Sequence, residues 1–212
     1  MARKDILQAV KTALSSPERN FTESVDLAIN LKNIDMGQPQ NRIDEAVVLP
    51  SGLGKPVKIA VFASDELAIV AKEAGADMIL PPEQIEILKK DKTKAKSIAD
   101  EYDFILAEVQ LMPSIGKNLG QVLGPRGKIP YPVPPNEDIT PIIKKLRKTV
   151  KLKSRDKKTF HTMVGCKSMA PEEIAANIEA ILRHIEAKLE GGAQNIRSIY
   201  VKTTMGPAEK VM

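Results

Sequence analysis

The chain has 212 residues, 42% of them hydrophobic, enough to build one or two domains with cores of their own. A single cysteine, Cys166, excludes an internal disulfide, and two histidines are too few for a zinc cluster, so a fold without metal or cofactor in a reducing, cytoplasmic setting is expected. The net charge of +5 makes only a weak case for a polyanionic partner; no apolar run reaches the roughly 18 residues that span a bilayer and no signal-peptide core follows Met1, so neither a membrane nor export is expected.

In chain order, Ile6, Leu7, Val10 and Leu14 have helical spacing. From Phe21 the period becomes two: Phe21, Val25, Leu27, Ile29 and Leu31 alternate with Thr22, Ser24, Asp26 and Asn30, which predicts a half-buried strand over 21–31 with Glu23 interrupting its apolar face. A polar loop leads to a strand over 43–49. Ser51-Gly52-Leu53-Gly54-Lys55-Pro56 then breaks the pattern, and Gly52 and Gly54 are the expected hinge.

Beyond this breaker, short apolar strands (57–63, 77–80, 104–107) alternate with helical patches (through Ala74, and 82–101), the signature of parallel strands joined by crossovers. Residues 142–160 hold nine basic side chains against one acid, Asp156. A solvated face is the ordinary reading of such a run; a basic hairpin of strands 149–153 and 159–164 facing phosphates is its rival. A long amphipathic helix follows, with Pro171 in its first turn, Glu172 and Glu173 near its positive end, and Ile174, Ile178, Ile181, Ile185 and Leu189 on one stripe. Gly191-Gly192 ends it, and a last strand covers 196–203. The flanking portions complement one another. The expected architecture is an α+β domain split in sequence, 1–55 plus 153–212, with a Rossmann-like three-layer α/β domain inserted at 56–152, the two moving as rigid bodies.

The last strand decides the function class. Ile199, Val201 and Thr203 fall on one side, Ser198, Tyr200, Lys202 and Thr204 on the other, and Met205-Gly206 follows. Hydroxyls, one ring and an approachable glycine backbone contain no nucleophile and base, but suit the sugars and phosphates of a folded RNA. With aromatic residues at 3%, stacking of single strands is a poor fit. The loop 123–130, LGPRGKIP, lacks the spacing of a phosphate loop, and 62–66 lacks the glycines of a dinucleotide site. His161 and Cys166, five apart in an extended segment, face opposite ways and make no catalytic pair. General nucleic-acid binding and a nucleotide-dependent enzyme on an α/β scaffold are the alternatives.

SIYVKTTMGP at 198–207, LGPRGKIP at 123–130, LPSGLGK at 49–55 and FTESVDLAINL at 21–31 together resemble the L-one family of large-subunit ribosomal proteins, in that family's order along the chain. The resemblance, closest in texture to the archaeal branch, implies a non-enzymatic, cytoplasmic protein of the ribosome, monomeric when free. It would bind the large-subunit rRNA stalk beside the exit-site tRNA and repress translation through a similar structure in its own mRNA. It also implies RNA contacts at Phe21, Ser198, Thr204, Met205 and Gly206, with His161 and Lys167 nearby and backbone contacts from Arg126 and Lys128. Where relatives carry a basic residue before the phenylalanine, this chain has Asn20; where some have lysine after the glycine of Val164-Gly165, it has Cys166, with Lys167 next.

Overall fold

The computed structural model describes residues 3–134 and 138–211. The chain forms two compact units, Met1–Lys55 with Lys148–Met212, and Pro56–Arg147. The return crossing therefore falls at 148 rather than at the expected 153. The reason is pairing: the strand Thr149–Lys153 (β7) is bonded antiparallel to Asp44–Val48 (β2), from the first portion of the chain. The strand Thr159–Cys166 (β8) pairs elsewhere, with Ser24–Leu31 (β1). The two basic strands are thus consecutive but belong to different sheets, and the basic hairpin does not form.

The first unit is built on a four-stranded antiparallel sheet, in the order Ala208–Lys210 (β10), Ile196–Thr203 (β9), β1, β8. β10 has no apolar alternation and is not foreseen from the sequence. The helices Arg3–Leu14 (α1) and Pro171–Lys188 (α7) pack on each other and on the sheet. They cover Val25, Leu27, Ile29, Leu31, Ile199 and Val201, which are all buried, while the alternate residues are partly open. Pro171 occupies the first turn of α7, and Glu173 accepts a hydrogen bond from the Ala170 N–H, satisfying a donor that the helix itself leaves unpaired. β1 starts at Ser24, three residues later than expected, because Phe21 is 53% exposed and outside the ladder.

Asn177 lies on the apolar side of α7 and is fully buried. Its amide donates to Gly52 O (2.7 Å) and Val164 O (2.8 Å) and accepts from Ser51 N (3.1 Å), tying the 51–52 turn to β8. Gly52 and Gly54 both have positive φ, +70° and +67°, and a Cβ on Gly54 would come within 2.6 Å of Met169 Sδ. Both glycines are thus fastened into the first unit.

The second unit has a parallel sheet in the order Met78–Leu80 (β4), Ile59–Phe62 (β3), Phe104–Glu108 (β5), Tyr131–Val133 (β6). Helices Pro82–Lys90 (α3), Lys92–Glu101 (α4) and Met112–Leu123 (α5) form one layer over Phe62, Ile105 and Ala107. Asp65–Glu73 (α2) and Ile139–Leu146 (α6) pair with each other. α5 escapes the sequence reading because Pro113, Gly116 and Gly120 mask its stripe of Ile115, Leu119, Val122 and Leu123.

Candidate nucleic-acid interface

The uncovered face of the four-stranded sheet is a set of polar rows fixed by register. Ser198, Asn30 and Thr159 lie side by side across β9, β1 and β8; Tyr200, Ala28 and His161 form the next row, and Lys202, Asp26 and Met163 the third. In the first row Thr159 Oγ1 donates to Asn30 Oδ1 (2.8 Å) and Asn30 Nδ2 donates to Ser198 Oγ (2.8 Å). Ser198 is there an acceptor, so its hydroxyl hydrogen remains available to an outside acceptor. In the third row, burial pushes the Asp26 carboxyl up, opposed by the charges of His161 and Lys202.

At the end of this face the chain crosses from β9 into Thr204-Met205-Gly206. Thr204 N donates to Ser24 O (3.1 Å), and Ser24 N donates to Thr204 Oγ1 (3.2 Å). The two hydroxyls are 3.0 Å apart. The turn is thereby stitched to the first residue of β1. Phe21 is three residues upstream, within about 10 Å of chain, so Phe21 and Thr204 lie in one neighbourhood. Phe21 at 53% and Met205 at 62% exposure are two large apolar side chains left in solvent at this end.

Glu23 is the residue that sequence reasoning missed. It has the same strand phase as Val25 and Leu27 and is 1% exposed. Its Oε1 accepts from Met205 N (2.9 Å) and its Oε2 lies 3.3 Å from Lys167 Nζ. The Met205 N–H chiefly, with the Lys167 ammonium, holds the Glu23 carboxyl below its usual range against the opposing effect of burial. The available signal was the acid on the apolar phase, since a buried carboxylate requires donors and so announces a partner. Thr203, also fully buried, has its Oγ1 3.2 Å from Ser16 Oγ and accepts from Gly206 N (3.1 Å). A Cβ on Gly206 would stand 2.3 Å from that oxygen.

Lys167 is turned inward. Its ammonium lies within hydrogen-bond distance of Ser16 O (2.7 Å), Pro17 O (3.0 Å), Ser16 Oγ (3.2 Å) and Glu23 Oε2 (3.3 Å), which uses its three donors. It braces the segment between α1 and β1 beneath Met205. His161 is exposed at mid-face, and Cys166 is buried, with its thiol pushed up by desolvation.

In the second unit, Arg126 forks onto Asp100 (2.6 and 3.2 Å) and Lys128 Nζ donates to Tyr102 O (2.6 Å), so the 123–130 loop is pinned to the end of α4. Arg126 retains N–H donors beyond the fork. The sheet reverses order between β3 and β5, where open α/β sheets receive nucleotides. That place is filled by the chain itself: Glu108, 5% exposed, accepts from Ser64 N (3.2 Å) and Ser64 Oγ (2.6 Å) at the start of α2. A carboxylate sits where a phosphate would.

Residues 10–207 match the model of the Ribosomal protein L1p/L10e family. The chain belongs to this family. A relative from Methanocella arvoryzae, called large ribosomal subunit protein uL1, is 60% identical over the full length of both chains. Proteins of the same name from Methanosarcina barkeri and Archaeoglobus fulgidus are each 52% identical, over 100% and 99% of this L1-family chain and 100% and 96% of their own lengths. These relatives are archaeal, the branch that the sequence resembles.

Proposed function

We propose that this chain is a structural component of the large ribosomal subunit that holds the rRNA stalk near the tRNA exit site, and that it represses translation by gripping a similar structure in its own mRNA. Phe21, Ser198 and Thr204 to Gly206 supply most of the affinity, with His161 beside them; Lys167 acts by bracing the turn; Arg126 and Lys128 add backbone contacts from the inserted unit, which moves on a hinge after Gly52 and Gly54. It acts as a monomer in the cytoplasm, on the ribosome.

The observation that carries this reading is the Thr204-Met205-Gly206 turn. It is fixed by Ser24, Glu23 and Thr203, and it presents a hydroxyl, a thioether and open main chain with no charged group among them. A rigid, uncharged surface of carbonyl oxygens, hydroxyls and a thioether suits the 2′-hydroxyls and base edges of a folded RNA and does not suit catalysis. Membership of a ribosomal protein family supports the assembly, and the carboxylate-filled crevice of the inserted unit weighs against a nucleotide-dependent enzyme.

Thr204→Ala and Met205→Ala should each weaken binding to a transcript of the rRNA stalk by about 1–3 kcal/mol with the fold intact. Filter binding checks this, with duplex DNA of equal length as the competitor. Unchanged affinity in both variants, or equal binding to duplex DNA, would overturn the proposal.

A further inference from the structure

The polar face has a second end. Six residues along β1 from Ser24, about 20 Å at 3.3 Å per residue, the row of Ser198, Asn30 and Thr159 gives way to the turn between β7 and β8. Here an open groove of about 530 Å³ is lined by Lys153, Ser154, Arg155, Asp156, Lys157 and Thr159, with Phe160 and His161 behind. Both complete ion pairs of this lining point away to other partners: Asp156 to Arg42 (2.9 Å) and Lys153 to Asp44 (3.2 Å). That leaves Arg155 and Lys157 of the lining, with the exposed Lys158 next in the chain, without an acidic partner among the described residues.

Backbone bonds bring further charge to the same place. Leu31 N donates to Lys158 O (2.8 Å) and Lys32 N to Asn195 O (2.8 Å), which puts the exposed Lys32 next to Lys158 along the backbone, with the exposed Arg197 two residues beyond Asn195 on the neighbouring strand. Arg155 has φ +48°, a left-handed conformation that a non-glycine residue adopts rarely. The turn is held there by Ser154, buried, whose Oγ accepts from Ile43 N (2.9 Å) and whose N donates to Ile43 O (2.8 Å). The cations thus stand on an anchored turn and not on a loose tail.

We infer that this basic turn is a second RNA contact, a phosphodiester clamp that takes the backbone of the same RNA whose bases and sugars meet the Thr204 end. The inference rests on the proposed RNA-binding function. The two ends divide the labour: uncharged groups at Thr204 to Gly206 discriminate, and the point charges of Arg155, Lys157 and Lys158 add affinity without sequence preference. An RNA must reach about 20 Å along the face to touch both.

The test is the salt dependence of binding to the stalk transcript. Each phosphate contact contributes roughly −0.7 to −0.9 to the slope of log K against log salt. The triple variant Arg155→Asn, Lys157→Gln, Lys158→Gln should bind several-fold more weakly at low salt, with a slope shallower by roughly 2–3, and converge on the wild type at high salt. Asn is chosen at 155 because it tolerates positive φ. The charge-keeping variant Arg155→Lys, Lys157→Arg, Lys158→Arg should keep the wild-type slope, and Thr204→Ala should lower affinity by the same factor at every salt concentration. A triple variant with a wild-type slope overturns the clamp while leaving the Thr204 site standing. A wild-type chain that does not bind the transcript overturns the underlying function and the clamp with it. Equal slope changes on stalk RNA and on random-sequence RNA support the assigned division, whereas loss of discrimination in the triple variant refutes it.

Discussion

Gly206→Ala tests the architecture of the turn most directly. The new methyl carbon would lie 2.3 Å from Thr203 Oγ1 and 3.3 Å from Ser16 Cβ. The first distance is well inside van der Waals contact. Thr203 is fully buried and β-branched, so its hydroxyl moves aside only by turning χ1 against a stiff rotamer and into the packed face of the sheet. Relief must therefore come from the turn, which breaks the Gly206 N to Thr203 Oγ1 bond (3.1 Å) and loosens the Ser16–Thr203 contact (3.2 Å). Two such bonds at about 0.5–1.5 kcal/mol each give roughly 1–3 kcal/mol, expressed as displacement of Met205 and Gly206 from the RNA surface. The expected result is a loss of stalk-RNA affinity of about fivefold to 150-fold, with the melting temperature lowered by only a few degrees. The double variant Thr203→Ala, Gly206→Ala removes the clashing oxygen. The glycine substitution should be much milder in that background, a coupling of about 1 kcal/mol or more across the mutant cycle. Wild-type affinity in Gly206→Ala, or strict additivity in the double variant, would refute the reasoning.

Asn177→Leu deletes three hydrogen bonds, two of them buried, and strands Gly52 O and Val164 O without partners; it should cost about 2–4 kcal/mol by urea denaturation of the first unit, and a loss under 1 kcal/mol would show that the turn does not depend on α7. Glu23, whose folded carboxyl is held below the usual carboxylate range, favours the folded turn at pH above that range and ceases to do so as the pH falls through its lowered folded value. Glu23→Gln keeps an acceptor for Met205 N but turns an amide donor toward Lys167. The fall in melting temperature on acidification should be smaller in this variant than in the wild type, and identical pH profiles would count against the assignment. Asp100→Asn loosens the fork on Arg126, so mobility of the 123–130 loop by amide exchange should rise while the melting of the first unit is unchanged.

Much of this site is legible in the residues. The alternation of Ile199, Val201 and Thr203 with Ser198, Tyr200, Lys202 and Thr204 predicts which side of β9 is open, and the helix that covers the other side announces itself through Pro171 and its isoleucine stripe. Glu23 is the instructive miss. Periodicity says that its side chain points inward, but its partner Met205 is 182 positions away, and no local rule reports a contact of that separation. Lys167 shows the converse: the resemblance places it near the RNA contacts, and only the surrounding carbonyls of Ser16 and Pro17 show that its ammonium is held internally. The basic run at 142–160 likewise reads as one feature, yet it passes from one unit to the other at 147–148 and its two strands join different sheets.

The sequence alone determined the long periodic elements such as β1, β9 and α7, their buried faces and the uncharged character of the last strand, because side-chain direction follows from backbone period within a few residues. The tertiary structure decided which of those faces meet: that Ser24 and Thr204 are bonded, that Glu23 and Lys167 act as braces beneath the surface, and that Arg155 and Lys157 stand on a turn anchored by Ser154. Pairing between distant strands depends on the packing of the whole core and on satisfying every buried donor and acceptor, conditions that no stretch of the chain contains by itself.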